Sequence, residues 1–454
     1  MGAARSGVAA ALLLADRGAR VTLSDLRPAM TDANDVERLR QSGVTLELGG
    51  HLPETVAGAS LVVLSPGVPL SQPVLEHAQR KGIPIIGEIE LASRWLRGRV
   101  VAITGTKGKS TTTTLAGRML QAGGIRALVG GNIGVPLSAQ VATSTPDTVH
   151  VVEVSSFQLE TIQTFHPWIA VLLNFSPDHL DRHPTVEEYA SAKAKIFENQ
   201  NERDWVVINA DDPQALALAR AGQGRQLRFS MNASMAEGVV VASGAISYRH
   251  AGEDQPMVPL SAVKLVGPHL LADVAAAAAV AKLSGISPAD MTRAVESFGG
   301  LEHALELVAN LHGVRFVNDS KATNVESALR AIESFGQGLV VILGGRYKGG
   351  DFGRLREPLT SRGATVVAIG EARPLLHEAL EPAVTIRDAT SMADAVRQAY
   401  EDARPHGTVL LAPACASFDM FVDYADRGRS FKHEVARLEA EAGGPEDPSR
   451  QEHR

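Results

Sequence analysis

The stretch that decides the fold is Ile103-Thr104-Gly105-Thr106-Lys107-Gly108-Lys109-Ser110-Thr111. It follows an apolar, β-branched run, 99–103, that reads as a buried parallel strand. It precedes 112–121, where Leu115, Met119 and Leu120 mark the apolar face of a helix. Strand, glycine loop and helix N-terminus together make a phosphate cradle. The glycines let backbone N–H groups turn toward an anion, and the helix dipole adds partial positive charge. In such a loop Lys109 reaches the outer phosphates and the Ser110 hydroxyl binds Mg²⁺. The spacing Gly-x-x-Gly-Lys-Ser is tighter than that of the usual P-loop. A glycine-rich turn with no ligand is the plainer reading, but turn chemistry alone does not call for Lys109 and Ser110 side by side.

The chain of 454 residues is long enough for about three domains, and its 44% hydrophobic content supports large cores. A net charge of −7 with no basic block argues against nucleic acid as a partner. The lone Cys415 excludes an intramolecular disulfide and fits a reducing compartment. No apolar run approaches the length of a membrane span, and Val8 to Ala15 is followed by Asp16-Arg17 rather than a cleavage site, so a cytoplasmic protein without membrane contact is expected.

The expected fold class is α/β with three domains. The first, 1–90, opens with Gly2-Ala3-Ala4-Arg5-Ser6-Gly7 running straight into a helix, 8–17, and a strand, 19–24, that ends at Asp25. This is a Rossmann-like unit whose first strand is missing from the pattern. The second, 91–298, carries the phosphate loop, strands at 149–154, 169–173 and 205–209, a helix at 186–198, a small antiparallel insert within 231–266 and closing helices at 270–283 and 289–297. The third, 299–442, alternates strands at 314–317, 339–343, 365–369 and 408–411 with helices at 325–335 and 392–403, a second Rossmann-like unit. Residues 443–454 read as a disordered tail.

Several loops lie at the carboxyl ends of these strands, where open α/β sheets bind ligands. Glu153 ends one strand opposite Lys109 and Ser110, well placed to hold Mg²⁺ or its water shell. Asp178-His179-Leu180-Asp181 follows another; it is either a helix cap or, beside a nucleotide, a source of a metal ligand in His179. Asn318-Asp319-Ser320-Lys321-Ala322-Thr323-Asn324 and Pro413-Ala414-Cys415-Ala416-Ser417 are polar strand-to-helix loops of one domain, read as binding loops. Lys193, on a helix with Lys195, reads from the pattern alone as a solvated lysine.

Taken together, the Gly105–Thr111 loop, Gly130-Gly131-Asn132-Ile133-Gly134, the string from Glu153 to Glu160, Asp178 to Arg182, Asn318 to Asn324 and Pro413 to Ser417 resemble the Mur ligases over nearly the whole chain. The Ser155–Glu160 and Asn318–Asn324 strings resemble the branch that adds D-glutamate. The resemblance implies an N-terminal UDP-binding domain, a central P-loop ATPase-type domain and a C-terminal D-glutamate-binding domain. It implies an ATP-dependent ligase joining D-glutamate to UDP-N-acetylmuramoyl-L-alanine through an acyl phosphate, acting as a monomer in peptidoglycan precursor synthesis. ATP would be held by Gly105, Thr106, Lys107, Gly108, Lys109, Ser110, Thr111 and Asp319. The UDP-sugar would lie along Ser6, Gly7, Asp25, Asn132, Ser155 and Gln158, and D-glutamate against Lys321, Thr323, Lys348, Ser417 and Tyr424. Lys109, Glu153, His179 and Lys193 would be the catalytic set. By the same resemblance Lys193 carries a CO₂-derived carbamate and joins Ser110, Glu153 and His179 in holding two Mg²⁺ ions.

Four positions depart from the family pattern besides the first strand. Leu270 and Asp273 replace two asparagines expected near the adenine, and Ala304 stands where an arginine usually reaches the γ-phosphate, a gap Arg346 could fill. Tyr424 stands in place of a frequent phenylalanine. Two alternatives follow: another amide ligase of the Mur or folylpolyglutamate-synthetase kind, and a catalytically impaired nucleotide-binding homologue.

Overall fold

The computed structural model of the protein describes residues 1–30, 32–178, 182–264 and 268–442. The expectations for His179 and for the tail at 443–454 fall outside these residues. The chain forms two compact units: one holds Met1–Val263 and His269–Phe298, the other the described residues from Gly299 onward.

In the first unit β1 (Thr22–Asp25) pairs in parallel with β2 (Thr45–Leu48), and β3 (Val62–Leu64) with β4 (Ile85–Gly87). As expected, no strand precedes the helix Arg5–Asp16 among the described residues, and the two pairs form separate sheets. Met1 to Ala3 run between the two pairs: Gly2 N–H donates to Ser24 O at 2.8 Å, the Met1 amine to Val63 O at 2.7 Å, and Ser65 N–H to Met1 O at 3.0 Å.

The rest of this unit is a nine-stranded sheet made by β5 (Arg99–Thr104), β6 (Arg126–Gly131), β7 (Thr148–Glu153), β8 (Ile169–Leu172), β9 (Trp205–Asn209), β10 (Arg225–Ser230), β11 (Gly238–Ala242), β12 (Ala245–His250) and β13 (Glu253–Pro259). Its order is β13-β12-β11-β10-β9-β8-β5-β7-β6, parallel from β11 to β6 and antiparallel at the β11–β12–β13 end. The insert expected within 231–266 is therefore antiparallel but not separate, because β11 continues the main sheet beside β10. Strands β5, β7 and β8 bury side chains on both faces, which is why they read as unbroken apolar runs. The helix Lys109–Ala122 buries Leu115, Met119 and Leu120 as its periodicity requires. It begins earlier than the apolar pattern, because Gly108 at φ 80° closes the loop in a left-handed turn that only glycine adopts easily. A Cβ there would lie 2.0 Å from Asp273 Oδ1.

The second unit is a six-stranded sheet of β14 (Glu306–Leu311), β15 (Val314–Asn318), β16 (Leu339–Gly344), β17 (Thr365–Ile369), β18 (Thr385–Asp388) and β19 (Thr408–Leu411), ordered β14-β15-β19-β16-β17-β18. Only β14 is antiparallel. Val317, Val341, Leu343 and Leu410 face one core, and Phe316, Ile342, Val409 and Leu411 the other. The sheet is thus covered on both faces, as a doubly wound fold must be.

Candidate active site

The phosphate loop is built as its sequence requires and is preorganised by its own lysine. Lys109 Nζ donates to Gly105 O at 2.9 Å and to Thr106 O at 3.0 Å, folding back over the loop. Thr106 is anchored by its hydroxyl to Ser176 O at 3.0 Å and lies 3.2 Å from the Tyr189 hydroxyl. Lys107 is held from the neighbouring strand end, where its N–H meets Asn174 Oδ1 at 2.9 Å and its ammonium meets Asp178 at 3.3 Å.

Glu153, at the carboxyl end of β7 and only 2% exposed, faces this loop. One carboxylate oxygen accepts from Ser110 Oγ at 2.6 Å, and the other from Asn132 Nδ2 at 2.8 Å. Adjacent parallel strands bring these together, since β5 and β6 flank β7 and all three end at one edge. Ser155 and Gln158 follow immediately in a capping box, Gln158 N–H donating to Ser155 Oγ at 3.3 Å and Ser155 N–H to Gln158 Oε1 at 3.0 Å. The hydroxyl of Ser110 and the carboxylate of Glu153 suit Mg²⁺, which usually takes one or two carboxylates together with substrate phosphates. Among the described residues no group of three or more His, Cys, Asp or Glu could hold a metal by itself.

Lys193 is the residue the pattern would have left on the surface. It is 1% exposed, donates to Gly105 O at 2.9 Å, the same carbonyl that receives Lys109, and lies 4.7 Å from the Tyr189 ring centre. Burial, reinforced by the Lys109 charge, lowers its pKa to about 7. The structure thus gathers Lys109, Ser110, Glu153 and Lys193 around one loop; His179 lies outside the described residues.

At the N-terminus Ser6 and Gly7 open the helix Arg5–Asp16 next to Asp25 at the end of β1. The Asp25 carboxylate accepts from Ala3 N–H at 2.6 Å and from the Arg27 guanidinium at 3.1 Å, which holds it well below the usual carboxylate range. Its oxygens organise the turn of residues 1–3, a role the sequence did not disclose.

In the second unit Lys321, Thr323, Lys348 and Ser417 of the expected D-glutamate set lie on loops after β15, β16 and β19, at the carboxyl edge of that sheet, and Tyr424 opens the helix Tyr424–Ala442. Ser417 is buried, while Lys348 and Tyr424 are exposed. Asp319 accepts from Leu305 N–H at 3.2 Å, and burial raises its pKa to about 7. Arg346, the cation expected to stand in at the Ala304 gap, is paired with Glu371 at 3.2 Å. Sequence reading missed Arg427. Fully buried on the helix Tyr424–Ala442, it donates to Ser320 Oγ and O, each at 2.9 Å, and to Cys415 O at 3.1 Å, tying two of these loops together. An isolated arginine in a polar helix carries no signal of such burial. Asp273, a departure from the family pattern, is 4% exposed beneath Gly108, and burial raises its pKa to about 7.

A nucleotide loop in a parallel sheet, followed by a second doubly wound unit, defines a class that comparison identifies. Residues 1–87 match the family model "Mur ligase MurD-like, N-terminal domain", 103–281 the "Mur ligase middle domain" and 305–415 the "Mur ligase, glutamate ligase domain". The chain belongs to the Mur ligase family. It is 43% identical over 438 residues to the UDP-N-acetylmuramoylalanine–D-glutamate ligase of Koribacter versatilis, covering 96% of each chain. With the ligase of the same name from Acidobacterium capsulatum it shares 45% identity, over 95% of this chain and 94% of that one. Among solved structures, a UDP-N-acetylmuramate-alanine ligase from Thermotoga maritima shares the fold, with a TM-score of 0.59 at 18% identity over 97% of this chain and 98% of that one.

Proposed function

We propose that this chain is an ATP-dependent ligase that joins D-glutamate to UDP-N-acetylmuramoyl-L-alanine in the making of peptidoglycan precursor. The observation that carries the reading is the cluster at the phosphate loop: Lys109 and Lys193 on Gly105 O, and Ser110 on Glu153 at 2.6 Å. The names of its 43–45% identical relatives agree with it. The loop residues 105–111 hold the triphosphate and Asp319 contacts the nucleotide. Ser6, Gly7, Asp25, Asn132, Ser155 and Gln158 position the UDP-sugar acid, and Lys321, Thr323, Lys348, Ser417 and Tyr424 hold D-glutamate. The enzyme acts as a cytoplasmic monomer on these small molecules.

The alanyl carboxylate attacks the γ-phosphorus of ATP, and ADP leaves from an acyl phosphate. The D-glutamate amine then attacks the acyl carbon, loses a proton as the amide forms, and expels phosphate. Lys109 leaves its loop carbonyls for the terminal phosphate, where its charge offsets that gathering on the transferred group. Magnesium ions supply further charge neutralisation there. Ser110 and Glu153 would hold one, and Glu153, His179 and Lys193 a second. For the latter the neutral amine of Lys193 adds CO₂ and loses a proton, turning a cation into a carboxylate-like ligand. Its low pKa leaves free amine for that step near neutral pH.

An amino-acid panel in an ATP-to-ADP assay tests the acceptor. Turnover with D-glutamate alone is expected; preference for an L-amino acid or for folate would place the chain in another amide-ligase branch. Ala304 leaves the transferred phosphate without its usual arginine, and Arg346 is already paired with Glu371. Ala304→Arg is expected to raise kcat by about tenfold, a fraction of what a charged transition-state contact can give. An unchanged rate would mean that this site is already compensated.

A further inference from the structure

Asp273 sits on the helix Pro268–Leu283, beneath the turn that closes the phosphate loop. The approach is so close that a Cβ on Gly108 would collide with its carboxyl group. The side chain is buried, and its Oδ2 has no hydrogen-bond partner among the described residues. None of the steps of ligation uses this carboxyl.

A phosphate loop holds an anion with its backbone N–H groups and the positive end of the following helix. A carboxylate pressed against the same turn competes for that field from below. Two negative charges separated by one backbone turn in a buried site repel strongly. The neutral acid keeps the same shape without that repulsion. Of the polar and charged groups among the described residues, Thr112 and Lys109 of the helix Lys109–Ala122 act on this carboxyl. Of these only Lys109 is charged, and its ammonium is bonded to Gly105 O and Thr106 O. Burial therefore dominates and raises the pKa of Asp273 to about 7, Thr112 and Lys109 lowering it only in part. Acid and carboxylate are both populated near neutrality.

On the reading that residues 105–111 hold the nucleotide, we propose that Asp273 is a positioning residue that couples nucleotide binding to a proton. The loop takes the diphosphate portion of a nucleotide with Asp273 as the neutral acid and releases it when Asp273 ionises. The linkage is reciprocal, so bound nucleotide in turn favours the acid. Its sign is opposite to that at Lys193. Affinity is full below pH 7 and lost as pH rises, whereas the Lys193 amine is protonated as pH falls. Asp273 thus limits the alkaline side and Lys193 the acid side.

Calorimetric titration with MgADP, which lacks the terminal phosphate, tests this without turnover. The Kd of the parent is expected to rise about tenfold from about pH 6 to about pH 8.5, and that of Asp273→Asn by less than about twofold. The variant keeps the shape of the side chain and should bind more tightly than the parent at the alkaline end. Near pH 7 the parent should take up about half a proton per nucleotide, read from buffers of different ionisation enthalpy, and the variant should lack that share. An unchanged pH profile in Asp273→Asn, or a variant weakened equally at both ends of the range as a purely structural role requires, would overturn the proposal. If the variant fails to fold, the parent decides: no proton uptake near pH 7 has the same consequence. A parent that binds no MgADP at any pH would overturn the reading of the loop itself.

Discussion

Replacing Lys193 with alanine is expected to lower substrate-dependent ADP formation by about 10³-fold, while ATP binding changes little. The side chain is buried against Gly105 O and the Tyr189 ring, where an ammonium gains little solvation and repels Lys109. An ordinary lysine holds fewer than about one free amine in 10³ at pH 7, but a pKa near 7 leaves about half neutral. The free amine is what adds CO₂. Because the shift is downward, the carbamate proposed on Lys193 should be retained above pH 7 and lost as pH falls below it. Activity should therefore fall on acidification and recover with added bicarbonate. In Lys193→Ala a short carboxylic acid such as acetate should restore part of the rate. Carbon-13 NMR with labelled bicarbonate reads the modification directly. An alanine variant as active as the parent would remove Lys193 from the mechanism.

Glu153→Gln should cost about 10²-fold in kcat and raise the Mg²⁺ concentration needed for half-maximal rate. The change keeps the shape and leaves an oxygen for Ser110 Oγ or Asn132 Nδ2, so the fold should hold. What disappears is the negative charge that balances a divalent ion. A magnesium titration separates the two roles: a lower kcat at unchanged Mg²⁺ demand would make Glu153 an anchor for Ser110 and Asn132 rather than a metal ligand. Among the described residues no helix is long and apolar enough to cross a membrane.

Much of this was legible because the informative residues are local. The Gly105–Thr111 loop announces strand, turn and helix within nine positions, and the buried strands β5, β7 and β8 declare themselves by unbroken apolar runs. What escaped lies at edges or in tertiary burial. Strand β18 is four mostly exposed residues, and β14 is a half-exposed, bulged edge strand, so neither has an apolar run to report. The helix Tyr424–Ala442 is largely polar and sinks Arg427 and Phe431 into the unit, burial that no pattern of neighbours encodes. Lys193 belongs with these. Its pattern is that of a surface lysine, family resemblance singled it out, and only packing against Tyr189 and the loop carbonyl explains why its amine differs from that of Lys195. The hydrogen bonds of residues 1–3 to Ser24, Val63 and Ser65 were illegible for the opposite reason: three residues carry no pattern of their own.

The most direct test of the account follows oxygen. UDP-N-acetylmuramoyl-L-alanine carrying oxygen-18 in its alanyl carboxylate is incubated with the enzyme, Mg²⁺, ATP and D-glutamate, and the released phosphate is weighed by mass spectrometry. An acyl phosphate requires one carboxylate oxygen to leave with each phosphate, and release should need the labelled acid and D-glutamate together. Unlabelled phosphate, or phosphate released at the same rate without the acid, would contradict ligation at this site.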